Sequence, residues 1–393
     1  MAPLIRERPA GQQASDGRGD RELIALIVLT RAPGLGLRSV RRLVDRCGGA
    51  VRALRAVRAT TPGELRELCG SRRVPSTRTV RALSPQAAAA ARTLLRDARA
   101  KGLSVVGYGD PVYPEGLRDL SDPPPFLFSR GDGSPDPARA VAVVGTRAAS
   151  SYGLRTAYSL GRELGRWGWT VVSGMARGID AAAHAGALDA DGGSIGVLGT
   201  GHDREYPAEN RDLYRRMRAH GLLLSEFEPA TPPTRSAFPR RNRVIAALAR
   251  GVIVVEAGGK SGALNTADHA LDLGREVLAV PGRIDDPGAA GCLRLLRQGA
   301  GLVAGVQDVF DALGCLHLAA EDAPPAAGEG VPSRDGRLLG ALARGPRSPD
   351  ELAVGLEMPV ARVLRGLGRL ELEGWVEHRP GGVFAAVRRP GRS

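Results

Sequence analysis

VAVVG at 141–145, TVVSG at 170–174, SIGVLG at 194–199, LLLSEF at 222–227, VIVVEAG at 252–258 and EVLAVPG at 276–282 are six short runs that are apolar almost throughout. A strand with one wet face alternates; a strand covered on both faces reads as a continuous apolar run. Between these runs lie stretches of helical spacing at 154–167, 179–190, 210–220, 242–248 and 264–273. Buried strands alternating with helices give an α/β fold with a doubly wound, Rossmann-like parallel sheet.

Outward from this core the composition changes. Residues 103–131 are rich in proline around two short strands, 104–108 and 126–129, so the α/β domain is placed at 103–318. Residues 21–102 read as all helical: ELIALIVLT at 22–30, a break at Pro33-Gly34-Leu35-Gly36, a second helix from Ser39, and further helical patterns near 62–69 and 85–100. Residues 1–20 are a polar, glycine-rich tail expected to be disordered, and 319–333 a linker without periodicity. Residues 334–387 show three helical patterns and a hairpin, the outline of a winged helix.

Across its 393 residues the chain holds 55 Lys and Arg against 42 Asp and Glu, a formal charge of +13. That balance points to a polyanionic partner. The whole excess lies in residues 1–104, where 21 basic side chains face 8 acidic ones, while the rest of the chain holds 34 of each. The four cysteines, Cys47, Cys69, Cys292 and Cys315, have no C-x-x-C spacing, which argues against a zinc cage or a disulfide framework and fits a reducing cytoplasm. There is no apolar leader and no run of eighteen apolar residues, so neither export nor membrane spanning is expected.

In a parallel sheet, ligands sit beyond the carboxyl ends of the strands. Three loops there combine glycine-spaced amides with a cation, the recipe for holding phosphate. They are Gly145-Thr146-Arg147, the stretch from Ser173 and Gly174 to Arg177 and Gly178, and Gly258-Gly259-Lys260-Ser261-Gly262. No dinucleotide fingerprint and no P-loop occurs, and no cofactor is called for. The AGGKSG turn at 257–262 is similar to the phosphate turn of nucleoside-monophosphate glycoside hydrolases, P-G-G-x-G-T-x-x-E, but lacks its Thr and Glu. A nucleotide-processing enzyme of that kind is thus the alternative reading.

A fourth stretch favours nucleic acid. Between Glu228 and Glu256 there is no acid, but there are Arg235, Arg240, Arg241, Arg243 and Arg250, with Phe238-Pro239 among them. Guanidinium forks grip phosphate, and an aromatic ring stacks an unpaired base. Asp180 and His184, four apart on one helix, read as loop-bracing groups, Glu226 and Glu256 as anchors for neighbouring amides or arginines, and His202 and Tyr206 stay unassigned.

VAVVGTR, SGMARGIDAAAHAGAL, GTGHDREYPAENRDLY, LLSEF, FPRRNRVIAALARGVIVVEA, SGALNTADHALDLGREVLAVPG and GCLRLLRQGA, in this order over roughly 103–313, resemble the DprA/Smf family, DNA processing protein A. The flanks are similar to that family's accessory modules, an N-terminal helix-hairpin-helix (SAM-like) domain and a C-terminal winged helix. The resemblance implies a non-catalytic, cytoplasmic protein that binds single-stranded DNA. It further implies a homodimer through the Rossmann-like domain that protects incoming strands during natural transformation and loads the RecA recombinase. It carries the family's G-S-R turn onto Gly145, Thr146 and Arg147, and its S-G-x-A-x-G-I-D loop onto Ser173, Gly174, Ala176, Gly178, Ile179 and Asp180, with Arg177 in a position often basic. Its F-P-x-R-N-R run falls on Phe238, Pro239, Arg241, Asn242 and Arg243, beside Arg240, as the DNA cradle. Its S-G-S-L-x-T-A loop falls on Ser261, Gly262, Leu264, Thr266 and Ala267, after Lys260, with Ala263 in place of the second serine. A duplex-binding regulator acting through Arg362, Arg365 and Arg369 of the winged helix is a further alternative.

Overall fold

The computed structural model describes residues 17–59, 64, 67, 82–131, 133, 137–314, 336–342, 346–356, 358, 360–372, 375–379 and 382–386. The chain divides into two compact units, Met1–Ala319 and Ala320–Ser393. The expected tail, except residues 17–20, the linker at 319–333 and, but for Glu64 and Glu67, the helix near 62–69 lie outside the described residues.

In the first unit, helices α1 (Gly17–Arg31), α2 (Leu37–Cys47), α3 (Ala50–Ala59) and α4 (Pro85–Ala100) precede the sheet. Strands β1 (Ser104–Gly107) and β2 (Phe126–Arg130) form an antiparallel edge. The parallel strands are β3 (Ala140–Val144), β4 (Thr170–Ser173), β5 (Ser194–Val197), β6 (Leu222–Ser225), β7 (Gly251–Val254), β8 (Glu276–Ala279) and β9 (Gly301–Leu302). Between them run α5 (Ser151–Arg166), α6 (Ile179–Asp189), α7 (Arg211–His220), α8 (Ala237–Ala247), α9 (Gly262–Asp272) and α10 (Ala290–Arg297), and α11 (Val306–Ala312) follows β9. All six expected core strands are present, in one nine-stranded sheet of order β1-β2-β6-β5-β4-β3-β7-β8-β9.

Period two explains the double burial. Along β3, Ala140, Ala142 and Val144 join one apolar cluster, while Val141 and Val143 join another. The second is closed by Leu160 and Leu164 of α5, Ala183 and Ala187 of α6, and Val309 and Phe310 of α11. The first is closed by Val244 and Ile245 of α8, Leu264 of α9 and Leu295 of α10. It also takes in Leu26 and Leu29 of α1, Leu43 of α2 and Leu95 of α4. The basic quarter therefore shares a core with the sheet.

One helix differs from expectation. The helix read at 242–248 begins at Ala237, so Phe238, Pro239, Arg240 and Arg241 are helical, not loop. A proline in a first turn removes only an N–H that has no partner inside the helix, so Pro239 is compatible with this start.

In the second unit, α12 (Gly336–Leu342), α13 (Pro349–Gly355) and α14 (Val360–Leu372) precede the antiparallel pair β10 (Val376–Arg379) and β11 (Val383–Ala386). This is a winged helix, with Leu338, Leu342, Leu352, Val363, Leu367 and Val376 as its core. Arg365 is exposed on α14; the side chains of Arg362 and Arg369 lie outside the described residues.

Two buried histidines predict that the first unit loses stability in acid. His184 bonds the Ser194 hydroxyl through Nδ1 at 2.7 Å, and the His202 Nε2–H donates to the Phe128 carbonyl at 3.0 Å. Burial pushes His184 down to about 3 and His202 down to about 4. The unfolded chain takes up these protons from about pH 6.5 downward, so stability present above that pH is lost as pH falls toward the folded values. Denaturant midpoints should drop between pH 7 and pH 4, and a His202→Gln variant should show a shallower drop over the same range.

Candidate nucleic-acid interface

The chain runs outward from β3 to β4, β5 and β6, then returns to β7 on the other side of β3 and continues to β8 and β9. The direction of winding thus reverses between β3 and β7, where a crevice opens at the carboxyl edge. Glu256, buried just after β7, accepts from the Ser150 N–H at 3.1 Å and the Ser150 hydroxyl at 2.7 Å. The Thr146 N–H donates to the Glu256 carbonyl at 2.7 Å. These bonds fix the Gly145–Arg147 turn and leave Arg147 exposed above it.

The second loop docks on the first. Gly178, at φ +76° before α6, occupies a left-handed conformation, and a Cβ there would run into the Thr146 carbonyl oxygen. The Ile179 N–H donates to that same oxygen at 3.3 Å. From outside, the Asn210 amide donates to the carbonyls of Met175 at 3.0 Å and Ala176 at 3.2 Å.

From beneath, the loop is held by two buried charges. Arg241, 4% exposed, donates from Nη1 to the carbonyls of Gly174, at 2.6 Å, and Val197. Asp180 accepts from the N–H groups of Gly174 at 3.1 Å and Ala176 at 3.3 Å. One residue's peptide groups are thus gripped by a cation at the carbonyl and an anion at the amide. Burial raises the Asp180 pKa against the pull of Arg241, and lowers that of Arg241 against the pull of Asp180.

The expected cradle is accordingly different in kind. Arg241 and Arg243 do not reach outward as free phosphate contacts, because both lie inside. Arg243, 5% exposed, donates to Glu226 at 2.7 Å, and Arg240 donates to the same carboxylate at 2.8 Å while lying over the Phe227 ring. Burial raises the Glu226 pKa against these two cations. Asn242 donates to the Gly262 carbonyl at 3.2 Å and so ties α8 to the start of α9. Arg250 donates to the Leu313 carbonyl, and its own N–H bonds Ala140 at the start of β3, the opposite edge of the sheet.

What faces solvent is a stack. The Arg147 guanidinium lies 4.8 Å from the centre of the Phe238 ring, and the Tyr206 ring lies 5.6 Å from it on the loop after β5. Tyr206, unassigned from sequence, is 41% exposed. These residues border a cavity of about 290 Å³ with Gly174, Gly199 and Arg177 in its wall. Both its carboxylates are engaged: Glu209 pairs with Arg177 at 3.4 Å, and Glu205 with Arg218. The Arg177 pair is exposed on both sides, and such pairs are worth at most about 1 kcal/mol. Lys260 is exposed, and Ser261 caps α9 by accepting the Ala263 N–H at 3.3 Å. The Lys260–Gly262 turn does not line this cavity. The structure therefore brings together Gly145–Arg147, Gly174–Gly178 and Phe238, adds Tyr206, and sets the third loop apart.

Buried and exposed arginines should separate experimentally. Arg241→Ala strands Asp180 without its cation and should lower stability by about 3–5 kcal/mol in denaturant titrations. Arg147→Ala should leave the midpoint unchanged within about 0.5 kcal/mol.

Comparison with known proteins agrees with this architecture. The family model of DNA recombination-mediator protein A matches residues 104–314, and the DprA winged helix domain matches residues 321–382. DNA processing protein DprA of Bacillus subtilis is 43% identical over 216 residues, covering 55% of this chain and 73% of that protein. Protein Smf of Escherichia coli is 39% identical over 284 residues, covering 70% of this chain and 75% of that one. The X-ray structure of DNA processing protein A from Streptococcus pneumoniae superposes with a TM-score of 0.58 at 32% identity, over 74% of this chain and 97% of that one. Sequence, fold and winged helix together place the chain in the DNA recombination-mediator protein A family, the DprA/Smf proteins.

Proposed function

We propose that this chain binds single-stranded DNA at the carboxyl edge of its parallel sheet, as a non-catalytic protein without a cofactor. The observation that carries the reading is the Arg147–Phe238–Tyr206 stack bordering a cavity walled by glycine-rich loops. A cation held on an aromatic face beside an exposed tyrosine accepts both parts of an unpaired nucleotide, its phosphate and its base. A base stacked between neighbours in a duplex offers no open face. Membership of a DNA recombination-mediator family supports the same substrate.

In this reading Arg147, Arg177 and the amides of Gly145, Thr146, Gly174 and Gly178 hold the backbone, and Tyr206 with Phe238 stacks a base. Ser173 and Asn242 position the loops, Arg240, Arg241 and Arg243 brace them, and Lys260, Ser261 and Gly262 offer a further phosphate turn. The strand so held is protected in the cytoplasm during natural transformation and handed to the RecA recombinase. A homodimer through the Rossmann-like domain is supported by apolar side chains left in water at Leu271 of α9, Ile284 in the loop after β8 and Leu302 of β9; Ile284 is 93% exposed.

Fluorescence anisotropy with labelled oligothymidylate tests the site. Affinity should fall with added salt, and Arg147→Ala with Phe238→Ala should weaken it by about tenfold or more, since stacking is worth about 1–3 kcal/mol per base. Unchanged affinity in that double variant, with the fold intact, overturns the reading. Release of free base or phosphate from a nucleotide panel would instead favour the enzyme alternative. For the dimer, Ile284→Asp should shift sedimentation toward the monomer.

A further inference from the structure

Beside the stack lies a second, larger basin of about 600 Å³, open to solvent, whose wall includes Arg130, Arg204, Arg211, Arg218, Asp203 and Tyr206. Four elements converge on it: the end of β2, the loop after β5, one face of α7 and Pro233 of the loop after β6. Its carboxylates are already engaged, Asp203 by the Lys101 ammonium at 2.6 Å and Glu205 by Arg218. Among the described residues no carboxylate pairs with Arg130, Arg204 or Arg211, so three of the basin's guanidinium groups face no described counter-charge. Its histidine adds no charge near neutral pH, because burial holds His202 at about 4.

The wall is preformed. The Asp203 N–H donates to the Pro229 carbonyl at 2.9 Å, and the Arg204 N–H to the Gly201 carbonyl at 3.1 Å. The Thr200 hydroxyl donates to the Arg204 carbonyl at 3.0 Å, and the Tyr214 hydroxyl to the Tyr206 carbonyl at 3.0 Å. The loop backbone that carries Arg204 is thus fixed before an anion arrives, and only side-chain freedom is lost on binding. Tyr206 and Glu205 line both this basin and the cavity of the Arg147 stack, so the two share a wall.

We propose that this basin is a second site of the molecule, taking successive phosphodiester groups of a single strand whose neighbouring base stacks at Tyr206. The proposal rests on the single-strand reading of the adjoining cavity and extends it. Three guanidiniums spread over a basin this wide match a repeating anion better than one small nucleotide. The strand passes over the Tyr206 rim, its base in the narrow cavity and its backbone across Arg204, Arg211 and Arg130.

The test is an Arg204→Gln, Arg211→Gln double variant of the full chain. Both side chains are exposed, so the fold is kept and circular dichroism checks it. The probes are a thymidine trinucleotide, which fills the narrow cavity, and an oligothymidylate of about 12 nucleotides. For the longer probe, affinity should fall about tenfold, and the dependence of log K on log salt should become shallower by about 0.7 per arginine removed. Trinucleotide binding should stay within about twofold of wild type. An unchanged salt slope with the long probe overturns the proposal, and so does equal weakening of both probes, which would mark a general field rather than a site. Loss of the long-probe effect while Arg147→Ala with Phe238→Ala still weakens binding removes only the basin. The reverse pattern removes the stacking site and leaves the basin standing as a phosphate site.

Discussion

A guanidinium removed from water must find acceptors for its N–H groups, and Arg241 finds them in the carbonyls of Gly174 and Val197, the residues that end the reach of β4 and β5. Asp180 closes the arrangement by taking the amides of Gly174 and Ala176. Gly174 has no room for a side chain, since a Cβ there would collide with the Arg241 guanidinium. The loop after β4 is thereby fixed on both peptide faces. Through Gly178 and Ile179 it sets the Thr146 turn, and through that turn the place of Arg147. Phe238 stands one helical turn before Arg241 on α8, so the same buried anchor also sets the ring under Arg147.

Much of the fold was legible because the signals were local. Continuous apolar runs gave the strands, and their spacing gave the winding; Ser150 and Ser261 cap helices as their hydroxyls allow. The motif order carried the family. What the sequence could not show was direction. Arg240, Arg241, Asn242 and Arg243 are consecutive, yet α8 turns Arg241 and Arg243 inward and leaves Arg240 exposed on its rim. Read as a loop, all three arginines face the ligand. Read as a helix whose first turn holds Pro239, two of them must enter the protein.

The stretch without acids between Glu228 and Glu256 misled in a related way, because acids are supplied from outside it. Glu226, two residues upstream of that window, takes both Arg240 and Arg243, and Arg250 leaves for the opposite edge of the sheet. A window of sequence measures charge per length, whereas a ligand meets charge per surface. Tyr206 shows the converse: one aromatic in a loop with no periodicity has no sequence signal, and its proposed role emerges only when Phe238 and Arg147 are brought to it.

The positive excess of the first 104 residues has a similar resolution. Several of its cations are internal fittings: Arg41 donates to the Leu120 carbonyl, Arg58 to the Leu83 carbonyl, and Arg99 pairs with Asp20. Two others reach the sheet's ligand edge, where Arg31 pairs with Glu228 at 2.6 Å and Lys101 with Asp203 at 2.6 Å. Those carboxylates sit on the loops after β6 and β5, where bare negative charge would repel a phosphate backbone. In the proposed reading the helical quarter acts on the edge less by adding a distant positive field than by cancelling acids that would oppose a polyanion. Since these helices share an apolar cluster with β1 and the sheet, the core fixes the helices that carry Arg31 and Lys101 against that edge. In that reading, net charge points to a class of partner, and the placement of each acid's counter-ion decides where such a partner would lie.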